Sequence, residues 1–194
     1  LFNYDGEYKY APTFPGSVSR RCPDISKAKA HLNYNPSVSW DEGVRLTINW
    51  YIEYLEESAF MQEDNFKKAK IYFRIAELKR KQGSYRSARS YYNKSLKYNP
   101  SQGRCYLRIA QMYSKSSNDC GASVFEKRAV NWLAANMADK AGLVDVSIAS
   151  EARRAASSYR QRAPSKSDIF SDDMAGKTIS FNCWIGGSVK VPSL

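Results

Sequence analysis

The sequence predicts a mainly α protein: a solenoid of helical hairpins, with a small carboxy-terminal β-hairpin and an amino-terminal helical arm. Three observations lead there. Between about residues 65 and 163, small and large apolar residues recur at a 34-residue offset, the spacing of a helical-hairpin repeat. Residues 177–191 instead alternate apolar and polar, the period of a half-buried strand. Capping signals and a helical apolar stripe mark the arm, residues 1–60, while residues 164–194 read as a linker and hairpin tail.

In the arm, Asp24 follows Pro23 and precedes helix formers from Ile25 to Leu32, so it reads as an N-cap. Asn35-Pro36 supplies the stop. Ser39 and Glu42 fit a capping box, in which each satisfies the other's orphan amide. Behind them Val44, Ile48, Tyr51, Ile52 and Leu55 share one helical face, predicting a helix that ends near Glu57. The run from Arg20-Arg21-Cys22-Pro23-Asp24 to Tyr51 resembles the extreme carboxy terminus of extended short-chain dehydrogenases, the NAD-dependent nucleotide-sugar epimerases and decarboxylases. In that family an arginine just before the Pro-Asp pair contacts the diphosphate, so the resemblance implies that role for Arg20 or Arg21. The chain has no glycine-rich dinucleotide turn and no Tyr-x-x-x-Lys pair. The arm therefore reads as a helical remnant or docking arm. The alternative is a fragment of such an enzyme whose catalytic domain lies elsewhere.

The repeat module begins with a unit from Ala69 to Gln102. Its first helix presents Tyr72, Ile75 and Ala76, Gly83-Ser84 makes the turn, and its second helix presents Tyr85, Ala88, Tyr92 and Leu96 before Asn99-Pro100. Ala76 and Ala88 are the small residues that let two helices approach. In a second unit, Tyr106, Ile109 and Ala110 fall 34 residues after Tyr72, Ile75 and Ala76. The turn-rich segment Ser116 to Gly121 delays the next helix, whose Ala134, Ala138 and Ala141 line up. Residues 147–162 form a further amphipathic helix suited to cap a stack. The small and large positions resemble a tetratricopeptide (TPR) repeat, so the expected class is a TPR-like helical-hairpin solenoid.

In the tail, Pro164 to Asp168 reads as linker, and Ile179, Phe181, Cys183 and Ile185 alternate with polar neighbours up to Gly186-Gly187, which suits a tight hairpin turn. Val189 and Val191 belong to the returning strand. Four segments together are distinctive: Asp119-Cys120-Gly121, Phe125 to Ala134, Pro164-Ser165-Lys166 and Cys183-Trp184-Ile185. From Lys67 onward the chain resembles bacterial tetratricopeptide proteins of the cell envelope. That resemblance implies a non-enzymatic, often exported protein with a Cys120–Cys183 disulfide. Two buried thiols are the alternative. Cys22 and Cys105 are expected to stay reduced.

Charge steps sharply along the chain. The net charge is +11, yet residues 1–64 carry 6 Lys or Arg against 10 Asp or Glu, whereas residues 65–100 carry 11 against 1. Glu77 is that single acid. The step near Glu63, with Met61 as a candidate start, fits either a gene fusion or two pieces not contiguous in nature. Leu1 in place of Met implies a processed or cut amino terminus, with any targeting signal out of view.

The basic residues, of which Lys67, Lys70, Arg74, Lys81, Arg86 and Arg89 are the candidate partner-binding set, admit three readings. One is a solvated face, another a groove for a protein or acidic peptide segment, and the third a nucleic-acid surface with stacking tyrosines. The expected function is a non-catalytic protein–protein interaction scaffold. No catalytic residue, cofactor or metal site is expected, because the four cysteines lack ligand spacing and His31 stands alone on a surface helix. Trp132 and Trp184 read as packing anchors, and Asp172-Asp173 alone do not define a cation site. No stretch reaches the roughly 18 apolar residues of a membrane span. The disulfide favours periplasm or cell envelope, whereas the arm's resemblance favours cytoplasm. Residue types leave the oligomeric state open.

Overall fold

A computed structural model describes residues 24–194. Two compact units divide the chain between Trp50 and Tyr51. In the first, α1 (Ser26–Leu32) starts one residue later than expected, with the Asp24 carboxylate accepting the Ser26 N–H at 2.9 Å. It stops at Asn33, whose left-handed backbone (φ 54°) ends the helix before Asn35-Pro36 is reached. Helix α2 (Trp40–Met61) opens with the Glu42 N–H donating to Ser39 Oγ at 3.2 Å, one half of the expected capping box. The Glu42 carboxylate turns instead to Arg45, one helical turn on. The helix runs a turn past Glu57, because Ala59 is buried and extends the apolar stripe of Ile52 and Leu55.

In the second unit, α3 (Asn65–Lys81) and α4 (Tyr85–Tyr98) form the first helical hairpin. Asp64 caps α3 by accepting the Lys67 N–H at 3.1 Å. Ala69, Ile75 and Ala76 of α3 are fully buried with Ala88 and Tyr92 of α4. Alanines at the crossing bring the backbones close, and burying a side chain such as Ile75 contributes about 1.5–3 kcal/mol. Ser95, the buried polar residue here, lies 2.8 Å from the Ala69 carbonyl and 2.9 Å from Gln102 Oε1.

The second hairpin pairs α5 (Gly103–Lys115) with α6 (Val124–Val144), and α7 (Ala149–Arg162) packs against α6. Ser123 and Glu126 build a complete capping box at the start of α6, which explains where this delayed helix begins. Its Ala134, Ala138 and Ala141 are buried as the small-residue pattern requires. The Arg128 guanidinium closes the other end of α7, donating to the Ala163 carbonyl at 2.9 Å and to Asp168 Oδ2 at 2.9 Å.

Two tail expectations are corrected. The Pro164 to Asp168 stretch is the start of a short helix, α8 (Lys166–Ser171), because Ser165 and Asp168 form another capping box and Ile169 is buried. The β-run also breaks early. Strands β1 (Thr178–Ser180) and β2 (Ser188–Lys190) pair antiparallel with Ile179 opposite Val189. Residues 181–187 form a wide loop rather than a two-residue turn at Gly186-Gly187. Both glycines do take positive φ, 62° and 80°, to return the chain. The strand ends three residues before Cys183, which is bonded to Cys120 at the mouth of α6. Alternation still predicts burial: Ile179, Phe181 and Ile185 all face the core.

The disulfide closes a loop across a sequence separation of 63, which in the chain-entropy account stabilises the fold by about 4 kcal/mol. Cys105 is a buried free thiol, pushed up to about 12 chiefly by burial. Under native conditions iodoacetamide should leave Cys105 unmodified. Peptide mapping should find Cys120 and Cys183 alkylated only after reduction, and Cys105 after denaturation alone. Alkylation of Cys120 or Cys183 without reductant would contradict the pairing.

The start of α5 meets the end of α6 at Gly103, where a Cβ would lie 2.6 Å from the Ala141 carbonyl oxygen and 2.6 Å from Asp145 Cβ. Gly103→Ala should therefore destabilise the protein by about 1–3 kcal/mol in urea unfolding. An unchanged midpoint would show that the two helix ends part freely.

Candidate interaction surface

Lys67, Lys70, Arg74 and Lys81 fall at spacings of three, four and seven residues, so they line one stripe of α3. All four are exposed, while Ala69, Ile75 and Ala76 occupy the opposite side. Arg86 is exposed in the first turn of α4. Among the described residues, no ion pair joins Lys67, Lys70 or Arg74 to a carboxylate. Arg20 and Arg21 lie outside the described residues.

Around this stripe, the tyrosines are already paired with cations or with one another. Arg74 sits 5.3 Å over the Tyr51 ring and Lys68 5.1 Å over Tyr98. Lys94 lies 4.7 Å over Tyr91 and 5.7 Å over Tyr72, which stacks on Tyr98 at 5.7 Å. The Tyr91 hydroxyl donates to Glu56 at 2.5 Å. Burial first, and then this carboxylate, drive the Tyr91 phenol well above its ordinary range.

Glu77, the one acid of residues 65–100, does not face the stripe. Its carboxylate accepts from Arg80 Nη2 at 2.9 Å and from the Tyr92 hydroxyl, with Arg108 Nε of α5 at 3.4 Å. Burial alone would raise its carboxyl. Arg80, Tyr92 and Arg108 outweigh that and hold it below the ordinary value near 4.5.

Arg89 departs from the other members of the candidate set. It is half-buried and grips the tail loop, donating to the Ile185 carbonyl, to the Trp184 carbonyl at 3.2 Å and to the Tyr113 hydroxyl at 3.1 Å. Trp184 is the packing anchor its type suggests. Its ring lies 5.6 Å from both Tyr85 and Tyr113, with Arg89 5.4 Å over it and its indole N–H donating to Ser116 Oγ at 2.9 Å. Trp132 packs edge-on against Phe125. No local signal in the sequence marks Arg89 as a tail clasp, because its partners lie 24 and about 95 residues away.

Beside this clasp runs a groove of about 490 Å³ between α4, α5 and α6. Leu96, Ile109 and Tyr113 are among its buried lining residues, and Arg89, Asn93, Lys97 and Lys140 contribute polar groups. Of these, Asn93 and Lys140 have no counterpart in the linear reading. They become neighbours only when the two hairpins stack.

His31 is exposed on α1. Among the described residues, no group of three or more His, Cys, Asp or Glu is placed to hold a metal ion, and no helix is long and apolar enough to cross a membrane. No family model, curated protein or solved structure matches the chain.

The Glu77 joint predicts a pH dependence. A carboxyl held below its unfolded value contributes stability that is complete above about pH 4.5 and is lost as pH falls through the folded value. Urea midpoints should therefore drop between pH 5 and 3 more steeply in the native sequence than in Glu77→Gln. At neutral pH the variant should lose about 1–3 kcal/mol, because Arg80 and Arg108 are left unneutralised. Parallel pH profiles would remove Glu77 from that role.

Proposed function

We propose that residues 65–163 form a tetratricopeptide-type, non-catalytic interaction scaffold that takes an acidic segment of a partner protein on the α3 face. The observation that carries this reading is the arrangement of charge. Eleven cations of residues 65–100 share one acid, and that acid is turned into the α3–α4–α5 joint. Lys67, Lys70 and Arg74 are left with no carboxylate partner among the described residues.

Successive helical hairpins, with alanines at their crossings and equivalent positions 34 residues apart, support the repeat assignment. Nucleic acid is the weaker reading, since Tyr72, Tyr91 and Tyr98 already have their rings against cations or one another and are poor platforms for bases. The Cys120–Cys183 bond supports an oxidising, envelope-type compartment, where such bonds persist.

Fluorescence anisotropy of the full chain with an end-blocked peptide of mixed Asp and Glu tests the reading. Binding at physiological ionic strength should weaken about tenfold, or 1.4 kcal/mol, in Lys67→Glu/Lys70→Glu with no change in thermal midpoint. Equal affinity in that variant, or tighter and steeply salt-dependent binding of duplex DNA, would overturn it.

A further inference from the structure

We infer that the groove between α4, α5 and α6 is a second docking site, which takes an acidic peptide segment by one apolar side chain flanked by carboxylates. The inference rests on the scaffold reading and extends it to residues outside the α3 stripe. Its floor is apolar: Leu96, Ile109 and Tyr113 are each under a tenth exposed. Half-buried Tyr106 and Met137 also line it. A volume of about 490 Å³ is ample for an aliphatic or aromatic side chain.

The polar groups around that floor are of one sign. Arg89, Lys97 and Lys140 line the groove, and no carboxylate does. Among the described residues none of the three forms an ion pair. What holds Arg89 and Lys140 is neutral. Arg89 is fixed by two backbone carbonyls and a phenol, and the Lys140 ammonium rests 4.7 Å over the Tyr106 ring. Dipoles and π faces orient a cation without cancelling its charge, so Arg89 and Lys140, with Lys97 on the same lining, keep positive charge around one apolar slot. An incoming carboxylate meets no competitor. A neutral apolar side chain alone would leave these cations uncompensated, and a purely acidic segment would leave the floor uncovered. Exposed Asn93 has an amide that can both donate to and accept from the backbone of an extended segment.

The test uses the full chain, isotope-labelled for amide NMR, and an end-blocked peptide with a single Leu between Asp and Glu residues. Two companion peptides replace Leu with Gly, or the acids with Asn and Gln. The Leu peptide should shift the amides of Asn93, Lys97, Tyr106, Met137 and Lys140. The affinity read from those groove amides should fall at least about tenfold in Lys97→Glu/Lys140→Glu, and similarly for each companion peptide. Both lysines are exposed, and the thermal midpoint checks that the variant folds.

If binding survives in Lys97→Glu/Lys140→Glu but is lost in Lys67→Glu/Lys70→Glu, the groove inference fails while the scaffold reading stands. Equal affinity of the Gly peptide at those groove amides would likewise overturn apolar recognition by the groove. If none of the peptides binds the unaltered chain, both readings fail. A single-stranded oligonucleotide producing the same shifts at equal affinity would also overturn the inference.

Discussion

Between the two helical hairpins the contact of α4 with α5 is thin, far less extensive than that within either hairpin. Two side-chain knots close this line. Glu77 gathers Arg80, Tyr92 and Arg108, thereby tying α3, α4 and α5 together. Trp184 arrives from the tail and fills the space among Tyr85, Arg89, Tyr113 and Ser116. The hairpins become one body because polar and aromatic groups with directional demands meet at their joint and add to the apolar cluster that runs across it. The tail is thus a structural member of the helical part. A lone hairpin is marginal in water, and this one is stabilised by the surface it completes.

The same arrangement decides what charge is left for recognition. Glu77 is consumed at the joint, so the exposed face of α3 has no neighbouring acid in its own sequence segment. Arg89 is consumed in a different sense, since it is fixed geometrically by neutral partners and keeps its charge. A cation immobilised in this way has already given up much of its side-chain freedom, which lowers the entropy cost of engaging a carboxylate. In the proposed groove, fold and recognition would draw on the same guanidinium.

Much of the architecture is legible in the residue pattern. Ala76 and Ala88 mark the first crossing, the Ser39 hydroxyl marks the start of α2, and Ile179, Phe181 and Ile185 mark the buried face of the tail. Misreadings arise where two local signals compete. Pro164 suggests a linker, yet Ser165 and Asp168, one turn apart, cap a helix immediately after it. Gly186-Gly187 suggests a tight turn, but a covalent bond at Cys183 and the seat of Trp184 pull the intervening residues into a wide loop. The candidate surface divides similarly. The α3 stripe can be read from helical spacing, because its members share one element. The groove cannot, since Lys97 and Lys140 sit on different helices and nothing in their local sequence couples them.

The Cys120–Cys183 bond has a mechanical consequence. Tension applied at Leu194 travels back along the chain to Cys183 and there crosses directly to Cys120. The intervening residues, which include α6, α7, α8 and β1, lie in parallel with an inextensible bond and carry none of the load. Pulling would act on α5 and the helices before it, peeling the first hairpin from the second, while the closed segment stays intact. A chain tethered at its carboxy terminus would therefore yield first at β2 and the Trp184 seat, which lie outside the bridge, and next at the α4–α5 joint.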